Sequence, residues 1–476
     1  MVSFQELDAF FHPKAVAVIG ASTGLDHFVL PMLEAGGKVY LVNPNRKELF
    51  GQKCYSSLAE VEEPVDYALV AVPAQLVPGV IRECVEKGVK VVHIFSSGFG
   101  EVGRRDLEEE VLRAAGGKVR IIGPNCMGLY CPESFLRFAY HQPSEAGEVG
   151  FISQSGGQAV NFVYAGVVRG FRFSKVVSYG NGVDLDAVDF LRYLGEDPKT
   201  RVIGMYLEGL RPGRGRELRE VMEEVCLRKP VVVLKGGRTE EGRRAVSSHT
   251  GSLAGSGRVW EGFLEQVGAM EVGSFAEMAD LLAALLRSPL PRGRGVAVTT
   301  VSGGTSVVET DGLVEEGLSV PRLEGGWGAL EERLRRAGTS LSNPLDIWPA
   351  YARGYLDEVL EVLASQGVIH SIVVEMQAEE FRAYRETPPE WLKDFVSKLA
   401  RMGRRIQEER GKPVLVAVPP SFFHDTEEAM RKWFQEGGLA VCGSVREAGR
   451  ILSKMYGYRK YLERKGVLRE KEEEGD

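Results

Sequence analysis

The chain has 476 residues, 44% of them hydrophobic and 26% charged, more than one hydrophobic core organises and enough for about three soluble domains. A formal net charge of −7, with Lys and Arg scattered among Asp and Glu, supplies no basic field and argues against nucleic acid as a partner. No apolar run reaches the length of a membrane span, and the N-terminus MVSFQELDAFFHPKAVAVIG lacks an export leader, so a cytoplasmic location is expected. The six cysteines (Cys54, Cys84, Cys126, Cys131, Cys226, Cys442) form no CxxC pair and no Cys/His spacing that suggests zinc. Reduced, mostly buried thiols and no metal site are expected.

Residues 15–20 (AVAVIG) read as a strand ending in the turn Gly20-Ala21-Ser22-Thr23-Gly24, followed by a helix over 28–33 and a second strand, KVYLVN, ending at Pro44. Strand, glycine turn, helix and strand in that order open a doubly wound nucleotide-binding fold. Strands at 67–72, 89–95 and 119–122, separated by amphipathic helix-length segments, extend this to a parallel sheet with helices on both faces. Ligands of such sheets bind beyond the carboxyl ends of the strands. Those ends carry Gly20-Ala21-Ser22, Asn43-Pro44, Val72-Pro73, Ser96-Ser97-Gly98 and Gly123-Pro124-Asn125. GASTG is not a full GxGxxG, and Asn43 stands where a nicotinamide-binding fold needs an acidic residue for the ribose.

A second α/β unit follows, with a strand at 149–153, the turn Gln154-Ser155-Gly156-Gly157 and a helix over 158–166. The N–H groups that open this helix, joined by serine hydroxyls, suit an anion such as phosphate. Further strands are predicted at 175–178, at 202–207 (ending at Glu208) and at 231–235. AVSSHTGSLAGS, residues 245–256, then surrounds His249 with Ser, Thr and Gly and reads as a loop in which an imidazole can be reached or can travel. Helices at 259–267 and 275–286 close the unit, and PLPRGRG (289–295) reads as a linker. The third unit has a strand at 296–301, the turn Ser302-Gly303-Gly304-Thr305-Ser306, the loop SNPLD (342–346), and strands at 369–375 and 413–418. From Lys460 the chain is nearly all charged and is expected as a solvated helix or a disordered tail.

Taken in order, LDAFFHPKAVAVIGAS, VYLVNP, SSGFGE, GPNCMG, GFISQSGG, SYGNGVDLD, YLEG, VTTVSGG, NPLDI and above all KxGRTxxGxxAxxSHTGxxAG resemble the alpha subunit of ADP-forming acyl-CoA synthetases. This is the acetate–CoA ligase group related to succinyl-CoA synthetase. The resemblance implies an α/β chain with a Rossmann-like CoA-binding domain (1–143), a flavodoxin-like ligase domain with a phosphohistidine loop (144–288), a second flavodoxin-like ligase domain (294–460) and a charged tail (461–476). It also implies the reaction acyl-CoA + phosphate + ADP ⇌ carboxylate + CoA + ATP, by way of an acyl phosphate and a phosphohistidine.

On that resemblance His249 is the nucleophile, and Glu208 accepts the other ring N–H. Ser155, Gly156 and Gly157 hold the phosphoryl group. Gly20, Ala21, Ser22, Asn43, Val72, Pro73, Ser96, Gly98 and Asn125 line the CoA crevice. No ATP-grasp region is present, so ADP or ATP and Mg are expected on a separate beta subunit within a hetero-oligomer. Two departures stand out. The turn after Gly20-Ala21-Ser22 is shorter than in relatives, so the adenylyl end of CoA is expected to be held differently, and Asn45 replaces a frequent Lys, leaving Arg46 or Lys47 to meet a phosphate. Lys235, Arg238 and Asp184 read equally well as structural ion-pair partners, and Cys126 as a buried thiol. A non-catalytic CoA-binding subunit of the same fold is the alternative, against which the retained SSHTGSLAG argues.

Overall fold

Val16–Ile19, buried at all four positions, is the centre of a seven-stranded sheet. In spatial order its strands are Glu48–Leu49, Gln52–Tyr55, Val39–Val42, Val16–Ile19, Tyr67–Val70, Val91–Ile94 and Arg120–Ile122. All pairings are parallel except that of Glu48–Leu49 with Gln52–Tyr55. The central strands are apolar on both faces because helices cover both, which is why they read as unbroken Val/Ile/Leu runs and not as alternating ones. Apart from the added edge strand, the order is that of a Rossmann sheet, and it reverses direction between Val16–Ile19 and Tyr67–Val70.

The computed structural model describes residues 2–250, 257–335, 339–382, 388 and 390–468, and leaves undescribed the side chains of 247–250 and 382. The chain forms two compact units, Met1–Met278 and Ala279–Asp476. The first contains a second sheet with the order Met270–Glu271, Val231–Lys235, Val202–Leu207, Val149–Ser153, Phe173–Ser178 and Gly128–Tyr130. Gly128–Tyr130 runs antiparallel at its edge. This strand lies inside the stretch expected to be the first domain, so the polypeptide enters the second sheet earlier than its composition suggests. The second unit holds a five-stranded parallel sheet, Leu345–Asp346, Val296–Thr300, Ser371–Glu375, Val414–Ala417 and Ala440–Cys442.

Within the first unit the two sheets are joined by a continuous polar seam. The Arg120 guanidinium grips Asp184 through two bonds of 2.7 and 2.8 Å. Asp184 also accepts the Ile121 N–H. Backbone N–H groups of Asn181, Val183 and Leu185 then donate in step to Pro124, Gly123 and Ile121. Asp186 caps the helix Ala187–Glu196 and takes Arg211 and Arg214. Asp184 is therefore a structural partner. The last helix, Val445–Arg464, buries Tyr461 and Leu462, so the charged stretch from Lys460 begins inside a packed helix; residues 469–476 lie outside the described ones. Among the described residues no helix is long and apolar enough to cross a membrane.

Candidate functional site

The first sheet's switch point is built around Gly20. Its φ is +83°, and a Cβ there would stand 2.6 Å from the Ala71 carbonyl oxygen, so only glycine lets the two strand ends approach this closely. Gly20 and Ala21 donate their N–H groups to Val42 O, and the Asn43 amide donates to Ala21 O at 2.7 Å. Ser96 donates its hydroxyl to Val72 O at 2.6 Å, and Asn125 donates its N–H to Ser96 O. The Gly98 turn is held by Glu101, which accepts the N–H groups of Gly98 and Phe99; Glu101 and Glu108 both accept from the Asn181 amide. These bonds hold Glu101 below the usual carboxylate range despite its partial burial.

The second sheet's switch point lies between Val149–Ser153 and Val202–Leu207, which are neighbours in parallel register. Ser155 caps the helix Gly156–Val168, its hydroxyl accepting the Gln158 N–H. A Cβ on Gly156 would come within 2.9 Å of the Met127 side chain, so this helix start also requires glycine. Beside it, Glu208 is 3% exposed, and the Gln154 side-chain oxygen accepts the N–H groups of Glu208 and Gly209. Tyr206 donates its hydroxyl to Glu208 Oε1 at 3.0 Å. Lys235 donates to the Glu208 and Gly236 carbonyls and lies 5.3 Å from the Trp260 ring centroid. Burial pushes the Lys235 pKa down to about 8.

The two switch points open into one cavity of about 630 Å³. Of the expected CoA set, Ser22, Val72, Ser96 and Asn125 line it, together with Ser155, Gly156 and Gly157. Gly20, Ala21, Asn43, Pro73 and Gly98 are not in the lining; Gly20, Ala21 and Asn43 shape it from behind through the bonds above. Gln154, Met127 and Gly180 also line the cavity; they lie within the motifs GFISQSGG, GPNCMG and SYGNGVDLD but were not among the expected site residues, because their neighbours are brought in from other strands. Gln154 borders a second cavity of similar size, with Tyr179, Asn181 and Gly209. Cys126 is buried, and burial pushes its thiol pKa up, which removes it as a nucleophile.

The segment that carries His249 differs from the expected loop. Glu240–Thr250 is helical, started by Thr239, whose hydroxyl accepts the Gly242 N–H. This helix packs against the turn Gly100–Val102. The His249 side chain and residues 251–256 lie outside the described ones.

The chain matches two family models, a CoA binding domain over residues 14–132 and a succinyl-CoA ligase like flavodoxin domain over 146–285. It is 40% identical over 326 residues to the alpha subunit of acetate–CoA ligase [ADP-forming] II from Pyrococcus furiosus, covering 67% of this chain and 71% of that one. It is 34% identical to the alpha subunit of acetate–CoA ligase [ADP-forming] I of the same organism, covering 96% and 98%. Against the Methanocaldococcus jannaschii acetate–CoA ligase [ADP-forming] the identity is 36%, and the match spans about half of that longer protein, 49%. Among solved structures, the Candidatus Korarchaeum cryptofilum dinucleotide forming acetyl-coenzyme A synthetase 1, in complex with phosphate and ADP, superposes with a TM-score of 0.81 at 32% identity, covering 97% of this chain and 99% of that one.

Proposed function

The chain belongs to the ADP-forming acetate–CoA ligase family, as a counterpart of its alpha subunits, and we propose that it carries the phosphoryl group of the reaction on His249. The observation that supports this most directly is the shared cavity: the Ser155–Gly157 helix start and the Ser22, Val72, Ser96 and Asn125 strand ends face one space.

In this reading CoA lies along the first sheet's strand ends, where Gly20 and Asn43 keep the turn low enough for an extended ligand to pass. Phosphate attacks the thioester carbonyl, the C–S bond breaks, and CoA leaves with an acyl phosphate remaining. The N–H groups that open the helix at Gly156 and Gly157 and the end of the helix dipole favour the phosphoryl oxygens there. An imidazole nitrogen of His249 attacks phosphorus, the P–O bond to the acyl group breaks, and the carboxylate departs. Glu208 accepts the other ring N–H, fixing the tautomer and favouring the positive charge that develops on the ring. Its own placement is secured by Tyr206, Gln154 and Lys235.

ADP then takes the phosphoryl group on a separate ATP-grasp beta subunit, in a hetero-oligomer. Mg bound there supplies neutralisation of phosphate charge. In this reading the shorter turn after Ser22 has the adenylyl end of CoA held differently than in relatives, and Arg46 or Lys47, beside Asn45, meets a phosphate.

The test is phosphorylation of this chain by γ-labelled ATP in the presence of a co-expressed ATP-grasp partner. Acid-labile label is expected on the wild type, absent from His249→Asn, and discharged by ADP or by carboxylate plus CoA. CoA binding without any label would overturn the reading in favour of a non-catalytic CoA-binding subunit.

A further inference from the structure

We propose that His12, Cys131 and Glu133 form a zinc site that fastens the end of the N-terminal helix to the segment following the Gly128–Tyr130 strand. The three residues are drawn together from across 119 positions of sequence, which is why no ligand spacing is visible in the chain. One donor atom from each lies within 4.8 Å of the others. His12 Nε2 is 3.9 Å from Cys131 Sγ and 3.7 Å from Glu133 Oε2. Tetrahedral zinc, with bonds of about 2.0–2.1 Å to nitrogen and oxygen and about 2.3 Å to sulfur, sets its ligands about 3.4–3.6 Å apart. A contraction of a few tenths of an ångström about the ion therefore meets both measured separations.

The surroundings are those of a ligand set. His12 caps the helix Phe4–Phe11, and its Nδ1 lies 3.0 Å from Asp8 O. An N–H on that nitrogen donates to the carbonyl and leaves the Nε2 lone pair facing Cys131 and Glu133. This outer bond is the one that ligating imidazoles usually make. Cys131 is held rigidly by its backbone: its carbonyl accepts from Arg137 Nη1 at 2.8 Å and from Ser134 N, and its own N–H donates to the Leu136 carbonyl. Lys199 holds the Glu133 carboxylate at 2.7 Å. Thiolate, imidazole and one carboxylate together select zinc over magnesium or calcium, which prefer all-oxygen sites. The side chains of His12 and Glu133 are 34% and 25% exposed, so a water can reach the fourth position.

The position gives the site a purpose. The N-terminal helix lies across the second sheet's helix Ala187–Glu196, where Phe4 and Phe11 stack on Tyr193 and Asp8 accepts the Tyr193 hydroxyl. Zinc at His12 locks the far end of this strap. Ligation releases the Cys131 thiol proton to water, and no oxidant or reductant is involved.

The experiment uses the full chain, stripped with chelator, reloaded with Zn²⁺ or Co²⁺ and desalted. Stoichiometric zinc, a near-ultraviolet thiolate-to-cobalt charge-transfer band and a zinc-dependent rise in Tm are expected for the wild type. Cys131→Ser should lose the cobalt band. His12→Gln, at a side chain that is 34% exposed, should bind zinc at least roughly tenfold more weakly, no less than the loss of an outer-shell partner costs, and lose the Tm response, which keeps the test decisive if Cys131→Ser does not fold. Substoichiometric zinc in the wild type, a cobalt spectrum without the thiolate band, or equal zinc retention in wild type and His12→Gln would overturn the proposal and leave an imidazole–thiol hydrogen bond with an adjoining Glu133–Lys199 ion pair.

Discussion

Glu208 illustrates how one residue is fixed by partners both adjacent and distant in sequence. Its backbone N–H goes to Gln154, 54 positions earlier, its carbonyl takes Lys235, and its carboxylate takes the Tyr206 hydroxyl. The strand-end position of Glu208 and its neighbour Tyr206 were legible in YLEG; Gln154 and Lys235 were not, since each belongs to a different strand end. Burial, followed by the neighbouring Glu208 charge, pushes the Tyr206 phenol up, so it remains a donor at all working pH values. Removing that donor takes one hydrogen bond from a buried carboxylate, and a hydrogen bond to a charged group contributes about 1.5–3 kcal/mol. On the proposed mechanism Tyr206→Phe should therefore slow phosphorylation of His249 by about tenfold or more, with CoA affinity unchanged because Tyr206 does not line the proposed CoA cavity. Single-turnover labelling measures the first quantity and calorimetry the second. An unchanged labelling rate would remove Tyr206 from the positioning of Glu208.

At the scale of elements, the second and third sheets repeat one plan. Setting aside the antiparallel edge strand Gly128–Tyr130, both run second, first, third, fourth, fifth, and both have a Ser-Gly-Gly turn two residues after the first strand ends. The sequence showed the shared turn but not the exchange opposite it. Tyr206 pairs with Ser153, whereas Val374 pairs with Thr299, which sets Glu375 level with Thr300 in the place of the tyrosine. Glu375 is 2% exposed, accepts from Gln377 at 3.1 Å through one oxygen, and has no hydrogen-bond partner on the other among the described residues. Burial raises its pKa to about 7. The folded chain thus keeps a proton that the unfolded chain has lost, so stability falls as pH rises from about 4.5 to about 7, by up to about 3 kcal/mol. Denaturant unfolding of Glu375→Gln against pH should show that slope removed and the protein more stable than wild type at pH 8; parallel profiles would disprove the assignment.

The helix Glu240–Thr250 is the opposite case, a segment that reads as a loop in its later half. The Ser and Gly of residues 247–256 dominated that reading. The preceding Thr239-Glu240-Glu241 supplies a cap and an acidic first turn, and once nucleated, a helix propagates through residues that would not start one. Cap and periodicity in residues 239–246 were readable; how far the helix carries was not.

At the scale of the whole molecule, every described residue lining the proposed CoA cavity belongs to the first compact unit. The covalent boundary is less simple than the Pro- and Gly-rich linker at 289–295 suggests, because the unit limit at Met278 falls inside the helix Phe275–Arg287. Phe275 rests on Phe162 and Tyr206, with ring centroids 5.8 and 5.2 Å apart, so this helix start supports the strand that leads into Glu208. Cutting after residue 278 leaves a single turn, too short to persist; cutting after residue 288 keeps the whole helix. A fragment of residues 1–288 should accordingly unfold cooperatively and gain about 2.7 kcal/mol from CoA at a hundredfold excess over Kd, a Tm rise of several degrees. The 1–278 fragment should melt lower, with a weaker CoA response, because the packing under Tyr206 is lost. If the 1–288 fragment folds and its Tm does not respond to CoA while that of the full chain does, then residues beyond 288 hold part of the ligand, and the cavity between the two switch points is only a portion of its site.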